Sequence, residues 1–143
     1  MRVRRMTAED VAQVAVLSGQ LGYPSTPDQI ARRFHALESI AGSAVFVAEL
    51  TQGTLAGWAH VVGRQLLESD PFAELVGLVV DAGSRRQGAG KALVEAAESW
   101  AHENGFGSLR IRSNTARLEA RPFYEKMGYA IGKTQYVFNK PVG

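Results

Sequence analysis

Seven consecutive residues, Arg85-Arg86-Gln87-Gly88-Ala89-Gly90-Lys91, have the makings of an anion site. They follow an apolar, largely β-branched run, Leu75-Val76-Gly77-Leu78-Val79-Val80, and open an amphipathic segment that reaches Glu103. A strand, an arginine-flanked glycine loop and a helix start, in that order, bring unpaired backbone N–H groups to one point. The helix dipole adds partial positive charge, and glycine lets a phosphate approach the main chain. The expected ligand is a phosphorylated cofactor. Two common phosphate loops do not fit. A P-loop needs Gly-Lys followed by a Ser or Thr that holds Mg²⁺; Gly83 and Gly88 have the outer spacing, but Ala89 follows, and Lys91 precedes Ala92. A dinucleotide loop needs a third glycine where Leu93 stands.

Proton chemistry has its own candidates. Glu74 heads the apolar run, where partial desolvation would raise its pKa and suit a general base; the alternative is a solvated glutamate at a strand edge. His60 is a weaker base candidate, while His35 and His102 read as ordinary helix-surface residues. Gly77, inside a strand, marks a bulge or a close backbone approach.

The spacing Arg/Gln-x-x-Gly-x-Gly/Ala between a strand and a helix is met by Arg85 to Gly90, and it resembles the acyl-CoA loop of the GCN5-related N-acetyltransferase (GNAT) family. A second segment, Ala120-Arg121-Pro122-Phe123-Tyr124-Glu125-Lys126-Met127-Gly128-Tyr129, is similar to that family's C-terminal signature, Ala-x-x-Phe-Tyr-x-x-x-Gly-Phe/Tyr. The resemblance implies that Arg85, Arg86, Gln87, Gly88, Ala89, Gly90 and Lys91 hold the CoA diphosphate. It implies that a bulge near Gly77 splays two strands, so that Leu78 and Val80 offer main-chain contacts to the pantetheine arm and an amide near Val79 polarises the thioester. Tyr124 would be the general acid for the departing thiolate, which suits a phenol that stays protonated at neutral pH. Glu74 matches the base glutamate of the protein-acetylating members. The family's cofactor-contacting asparagine is replaced by Arg117; Asn114 is its substitute or else a turn residue. Pro122 implies that the helix carrying Tyr124 begins late, near Arg121, or bends.

These residues need elements to position them. Met1 to Met6 reads as a strand. Thr7 caps a helix from Ala8 to Leu21, and Thr26-Pro27-Asp28-Gln29 is the start of another. Ser43 to Leu50 and Leu55 to Val62 form a hairpin, and Ala73 to Asp81 is the strand before the glycine loop. The loop's helix runs to about Asn104, with Leu93, Ala97, Trp100 and Ala101 facing the sheet. Ser108 to Ser113 is a strand, Ala120 to Met127 a short helix, and Tyr129 to Asn139 a last strand. The order β-α-α-β-β-β-α-β-α-β is that of the GNAT fold: α/β, with a mixed, mostly antiparallel central sheet and flanking helices. One domain over residues 1–143 is expected.

Composition narrows the function. The chain has no cysteine, which removes disulfides, thiolate metal sites and an acyl-cysteine intermediate. A net charge of +2 gives no argument for nucleic acid. No apolar stretch nears the roughly 18 residues of a membrane span, and no signal peptide is evident at Met1-Arg2-Val3-Arg4-Arg5, so a cytoplasmic location is expected. Arg110, Arg112, Arg117 and Arg121 read as a solvated strand face and helix start. Tyr23, Asp28, Glu38, Glu68 and Asp70 could line an entrance for a cationic amine such as an aminoglycoside, polyamine or lysine side chain, although solvated loops explain them better. The expected activity is transfer of acetyl from acetyl-CoA to a primary amine, on a small molecule or a peptide, by direct attack without a metal. Rival readings are a non-catalytic CoA-binding sensor and a nucleotide-binding module. Homodimers are common in the family.

Overall fold

A computed structural model describes residues 1–85 and 87–143. They form two compact units, Met1–Arg112 and Ser113–Gly143. The first is built on a five-stranded sheet, β1 (Arg2–Arg5), β2 (Ser43–Glu49), β3 (Leu55–Arg64), β4 (Phe72–Val80) and β5 (Leu109–Ile111), adjacent in chain order. The first four pair antiparallel and β5 joins β4 parallel. A mixed, mostly antiparallel sheet is therefore what the chain forms.

Helices α1 (Val11–Gln20), α2 (Pro27–Glu38) and α3 (Ala89–Glu103) cover the two faces of this sheet. A Cβ on Gly57 would run into the Val79 carbonyl and lie 3.2 Å from Leu93 Cδ1, so this side of β3 faces α3. Its neighbour Trp58 points the other way, into the cluster of Val14, Leu17, Val47 and Val79 against which Ile30 and Phe34 pack. The periodicity of α3 is realised as expected: Leu93, Ala97, Trp100 and Ala101 are buried.

Local chemistry explains the helix starts. Thr26 and Gln29 cap each other, Thr26 N–H donating to Gln29 Oε1 at 3.0 Å and Gln29 N–H to Thr26 Oγ1 at 3.2 Å. At Thr7 the chain first makes a 3-10 turn, Ala8–Asp10, before α1. Asp10 accepts from Thr7 N–H at 2.8 Å and from both ends of the Arg4 guanidinium at 2.8 and 2.9 Å. Arg4 Nη2 also donates to Glu49, so one side chain joins β1, β2 and the start of α1.

The second unit contains α4 (Ala120–Lys126). Pro122 does not delay it, because it is the third helical residue, where the backbone N–H has no partner within the helix anyway. The strand expected over Tyr129 to Asn139 is absent: residues 129–143 carry no regular secondary structure. Strand propensity expresses fit against a neighbour, and no described strand pairs with this segment, which leaves Tyr136 and Phe138 each 90% exposed.

Candidate active site

The β3–β4 ladder is regular from Arg64↔Phe72 to Val61↔Leu75, then resumes at His60↔Gly77. Val76 is the surplus residue of a bulge, and it is exposed. The glycine beside it is required sterically, since a Cβ at residue 77 would sit 2.7 Å from Trp58 Cζ3. The β4–β5 pairing ends at the same point, with Leu75↔Ile111 as its last rung. Beyond it, among the described residues, Val76 to Val80 have no strand on that side. Asp81 N–H donates to Ala56 O at 2.7 Å. By the alternation of an antiparallel ladder, Val79 and Gly77 also turn their N–H groups to β3, while Leu78 and Val80 turn theirs to the open edge.

β4 leads through a 3-10 turn, Ala82–Ser84, to the glycine loop. Gly88 has φ +82°, a left-handed conformation that favours glycine. Among the described residues, the first bond of α3 runs from Ala92 N–H to the Gly88 carbonyl at 3.0 Å, so the N–H groups of Ala89, Gly90 and Lys91 precede the ladder, and no described side chain caps them. Ala89 is buried, Gly90 half-buried, and Arg85, Gln87 and Lys91 are exposed. Arg86 lies outside the described residues. Gln20, at the end of α1, holds the loop entrance. Its Nε2 donates to Asp81 Oδ1 at 2.8 Å and its Oε1 accepts from Ala82 N–H at 2.9 Å. Nothing in the sequence flags this contact, because its partners stand 61 and 62 residues away.

Glu74 overturns an expectation. Its carboxylate is 1% exposed, but it is doubly paired. Oε1 accepts from Arg64 Nε at 3.1 Å and Nη2 at 2.9 Å, and Oε2 accepts from Arg112 Nε at 3.0 Å. Burial alone pushes its pKa up; the hydrogen bonds from Arg112 and Arg64 outweigh burial and hold it below the usual glutamate range. A carboxylate in that state does not accept a proton near neutral pH, so the raised pKa expected of a base is not found. The signal available in the sequence was cross-strand charge: Arg64 lies two residues beyond Val62, the residue opposite Glu74. Arg112, expected on a solvated strand face, is the other partner.

His60 occupies the same face of β3. Burial lowers its pKa, Arg64 lowers it further, and its Nε2 is a buried atom with no hydrogen-bond partner among the described residues. His35 and His102 are exposed, as expected. Tyr23, Asp28, Glu38, Glu68 and Asp70 are exposed too, which agrees with solvated positions. Among the described residues, no three His, Cys, Asp or Glu side chains gather into a metal cage, and no helix of the structure is long and apolar enough to cross a membrane.

In the second unit, Tyr124 stacks edge-on against Phe123 at 5.1 Å and Tyr129 at 6.3 Å. Burial pushes its phenol pKa up, against a smaller opposing pull from Arg117. It therefore keeps its proton at neutral pH. Asn114 is a turn residue: its Oδ1 accepts from Ala116 N–H at 2.9 Å.

Comparison with known proteins agrees with this geometry. A family model described as "Acetyltransferase (GNAT) family" matches residues 11–129. An uncharacterized N-acetyltransferase of Bacillus subtilis, YhdJ, is 41% identical over 66 residues, which is 46% of this chain and 45% of that protein, so the match spans less than half of the relative's length. Among solved structures, the aminoglycoside N-acetyltransferase AAC(6')-Iy in complex with CoA superposes with a TM-score of 0.87 at 19% identity, over 99% of this chain and 95% of that one. A transcriptional regulator from Bacillus halodurans C-125 superposes with a TM-score of 0.86 at 22% identity, over 97% and 99%. At these identities the superpositions establish a shared fold.

Proposed function

The chain belongs to the GNAT acetyltransferase family, and from that premise we propose that it moves an acetyl group from acetyl-CoA to a primary amine by direct attack. The observation that carries this reading is the continuity of β4 with the glycine loop. Among the described residues, a strand edge with no partner leads, within one turn, to N–H groups at the start of α3 that no side chain caps. A long ligand with amides in its middle and a diphosphate at one end fits both features. The N–H groups of Ala89, Gly90 and Lys91 would hold the diphosphate, assisted by Arg85, Gln87, Gly88 and, outside the described residues, Arg86. Leu78 and Val80 would pair with the pantetheine arm in the manner of an added strand. Asn114 would contribute its amide NH₂.

Bound acetyl-CoA supplies an activated thioester. The chain's part is to align it, to meet the carbonyl oxygen with a main-chain amide as negative charge develops there, and to protonate the leaving sulfur. The stretch around Val79 provides that amide through its outward-facing members, Leu78 and Val80. Tyr124 delivers the proton, which its raised pKa keeps available. Glu74 serves by orienting Arg64 and Arg112; the acceptor enters as its free base after losing its proton to water. The second proton, released by the nitrogen once its bond to the acyl carbon has formed and the carbon–sulfur bond breaks, passes through water to replace the one Tyr124 gives to sulfur. The rate therefore rises with pH until the acceptor amine itself is deprotonated.

The test is a thiol-release screen with acetyl-CoA over amines, amino acids, peptides and aminoglycosides, run beside calorimetric titration of CoA. Binding together with amine-dependent thiol release is the expected result. Binding without release from any acceptor would leave a sensor, and absence of binding would remove the reading altogether.

A further inference from the structure

The sheet face beside the divergence of β4 and β5 carries more positive charge than it neutralises internally. Arg64 and Arg112 share the single carboxylate of Glu74. Arg110, opposite Glu74 on β5, holds its guanidinium carbon 4.0 Å over the Phe72 ring and has no ion-pair partner among the described residues. Three guanidinium groups thus share a sheet face with one buried acid, two of them bonded to it. The Arg64 and Arg112 side chains are 45% and 56% exposed, against 1% for Glu74, so their charges face outward from a fixed base.

Arg112 follows the last rung of the β4–β5 ladder and so stands where the two strands part. Its Nε is committed to Glu74. That bond fixes the guanidinium plane and leaves the two Nη groups to point elsewhere. Arg110 is fixed in a different way, by standing over a buried aromatic ring. Such ordering is costly: a buried carboxylate gives up hydration, and exposed ion pairs return little. It is useful where planar N–H forks must be presented ready for a carboxylate or phosphate, the task to which arginine geometry is suited. A cationic acceptor would meet like charge at this face.

Resting on the acyl-transfer reading above, we propose that the acceptor is an amine that also carries an oxyanion, gripped by Arg110 and Arg112 while its amino group reaches the parted strands. Carboxylate and phosphate share this chemistry, and matched pairs of probes separate them.

The experiment compares β-alanine with β-alaninamide, O-phosphoethanolamine with ethanolamine, and adds kanamycin as a polycation. Each is assayed by thiol release, and each is also titrated calorimetrically into the protein with and without CoA. The anionic member of at least one pair is expected to lead its neutral or cationic partner by about tenfold or more in kcat/KM or in affinity. The carboxylate pair identifies an amino-acid-like acceptor and the phosphate pair a phosphoamine. Arg110→Gln, which leaves both ion pairs of Glu74 in place, is expected to raise KM or Kd for the favoured anion and shrink the preference to about twofold. A parallel drop in kcat for every probe, with the preference unchanged, would mean Arg110 acts only structurally, and would overturn its assignment. Preference for kanamycin or the amides, with thiol release intact, overturns this inference and leaves the acyltransferase standing. Equal or absent binding of both members of each pair overturns it as well, whether or not turnover is seen. Loss of CoA binding itself counts against the transferase reading alone, since the titrations without CoA still report on the arginines.

Discussion

At the scale of single residues, two groups expected to handle protons differ in what their surroundings permit. Tyr124 is desolvated without a strong partner and keeps its proton. Tyr124→Phe is expected to lower kcat by about a hundredfold while CoA affinity stays within about twofold, measured by steady-state kinetics and calorimetry. Glu74 is desolvated with two strong partners, and its pairing decides its state. Glu74→Gln leaves Arg64 and Arg112 facing an amide. Because both arginines are about half exposed, the loss is expected to be about 2 kcal/mol, below the range for a wholly buried pair, read as a lower melting temperature. The rate of the wild type should show no inflection from Glu74 between pH 6 and 8. The protonated state of Tyr124 was legible because a phenol keeps its proton at neutral pH by its type alone, and burial only strengthens this. The state of Glu74 was not, since it depends on Arg64 and Arg112, ten and 38 residues away, arriving on one face.

Elements carry the proposed cofactor site through their junctions. The turn from β4 into α3 was readable from the glycines, and Gly88 does adopt the left-handed conformation that its place before a helix invites. Gly88→Ala is expected to cost about 1 kcal/mol in stability and to weaken CoA binding by displacing the first N–H groups of α3, measured by denaturation and calorimetry. Gln20 supports the same junction from α1 with two hydrogen bonds. Gln20→Ala is expected to raise the Kd for CoA by about fivefold, the equivalent of roughly one hydrogen bond's net contribution, with little change in melting temperature. The helix starts at Thr7 and Thr26 were legible because capping is decided within four residues. The terminal strand failed for the opposite reason: Tyr136, Val137 and Phe138 have strand-forming side chains, but a strand exists only beside a partner.

For the molecule as a whole, acid is the informative perturbation. The hydrogen bond from Arg4 holds Asp10 low against the opposing effect of burial, and Glu74 is held low by its arginines. Both carboxyls bind protons less readily folded than unfolded. Their contribution is intact above the ordinary carboxylate range and is lost as pH falls through the depressed folded values. His60 is also lowered, chiefly by burial, so its protonation favours the unfolded chain and begins to act earlier, as pH drops below 6.5. Stability measured by urea denaturation is therefore expected to decline gently below pH 6.5 and steeply below about 4. His60→Gln should remove the gentle phase only. The bulge at Val76 has one more consequence. Ahead of it the even-numbered Phe72 and Glu74 look toward α1 and α2; after it the odd-numbered Gly77 and Val79 do. A lone supernumerary residue has switched the parity of the strand, and excising it would leave every other side chain facing as before. A chain lacking only residue 76 should thus fold with an unkinked β4, and comparing its thiol release with that of the parent would weigh the curvature of one strand apart from every side chain that surrounds it.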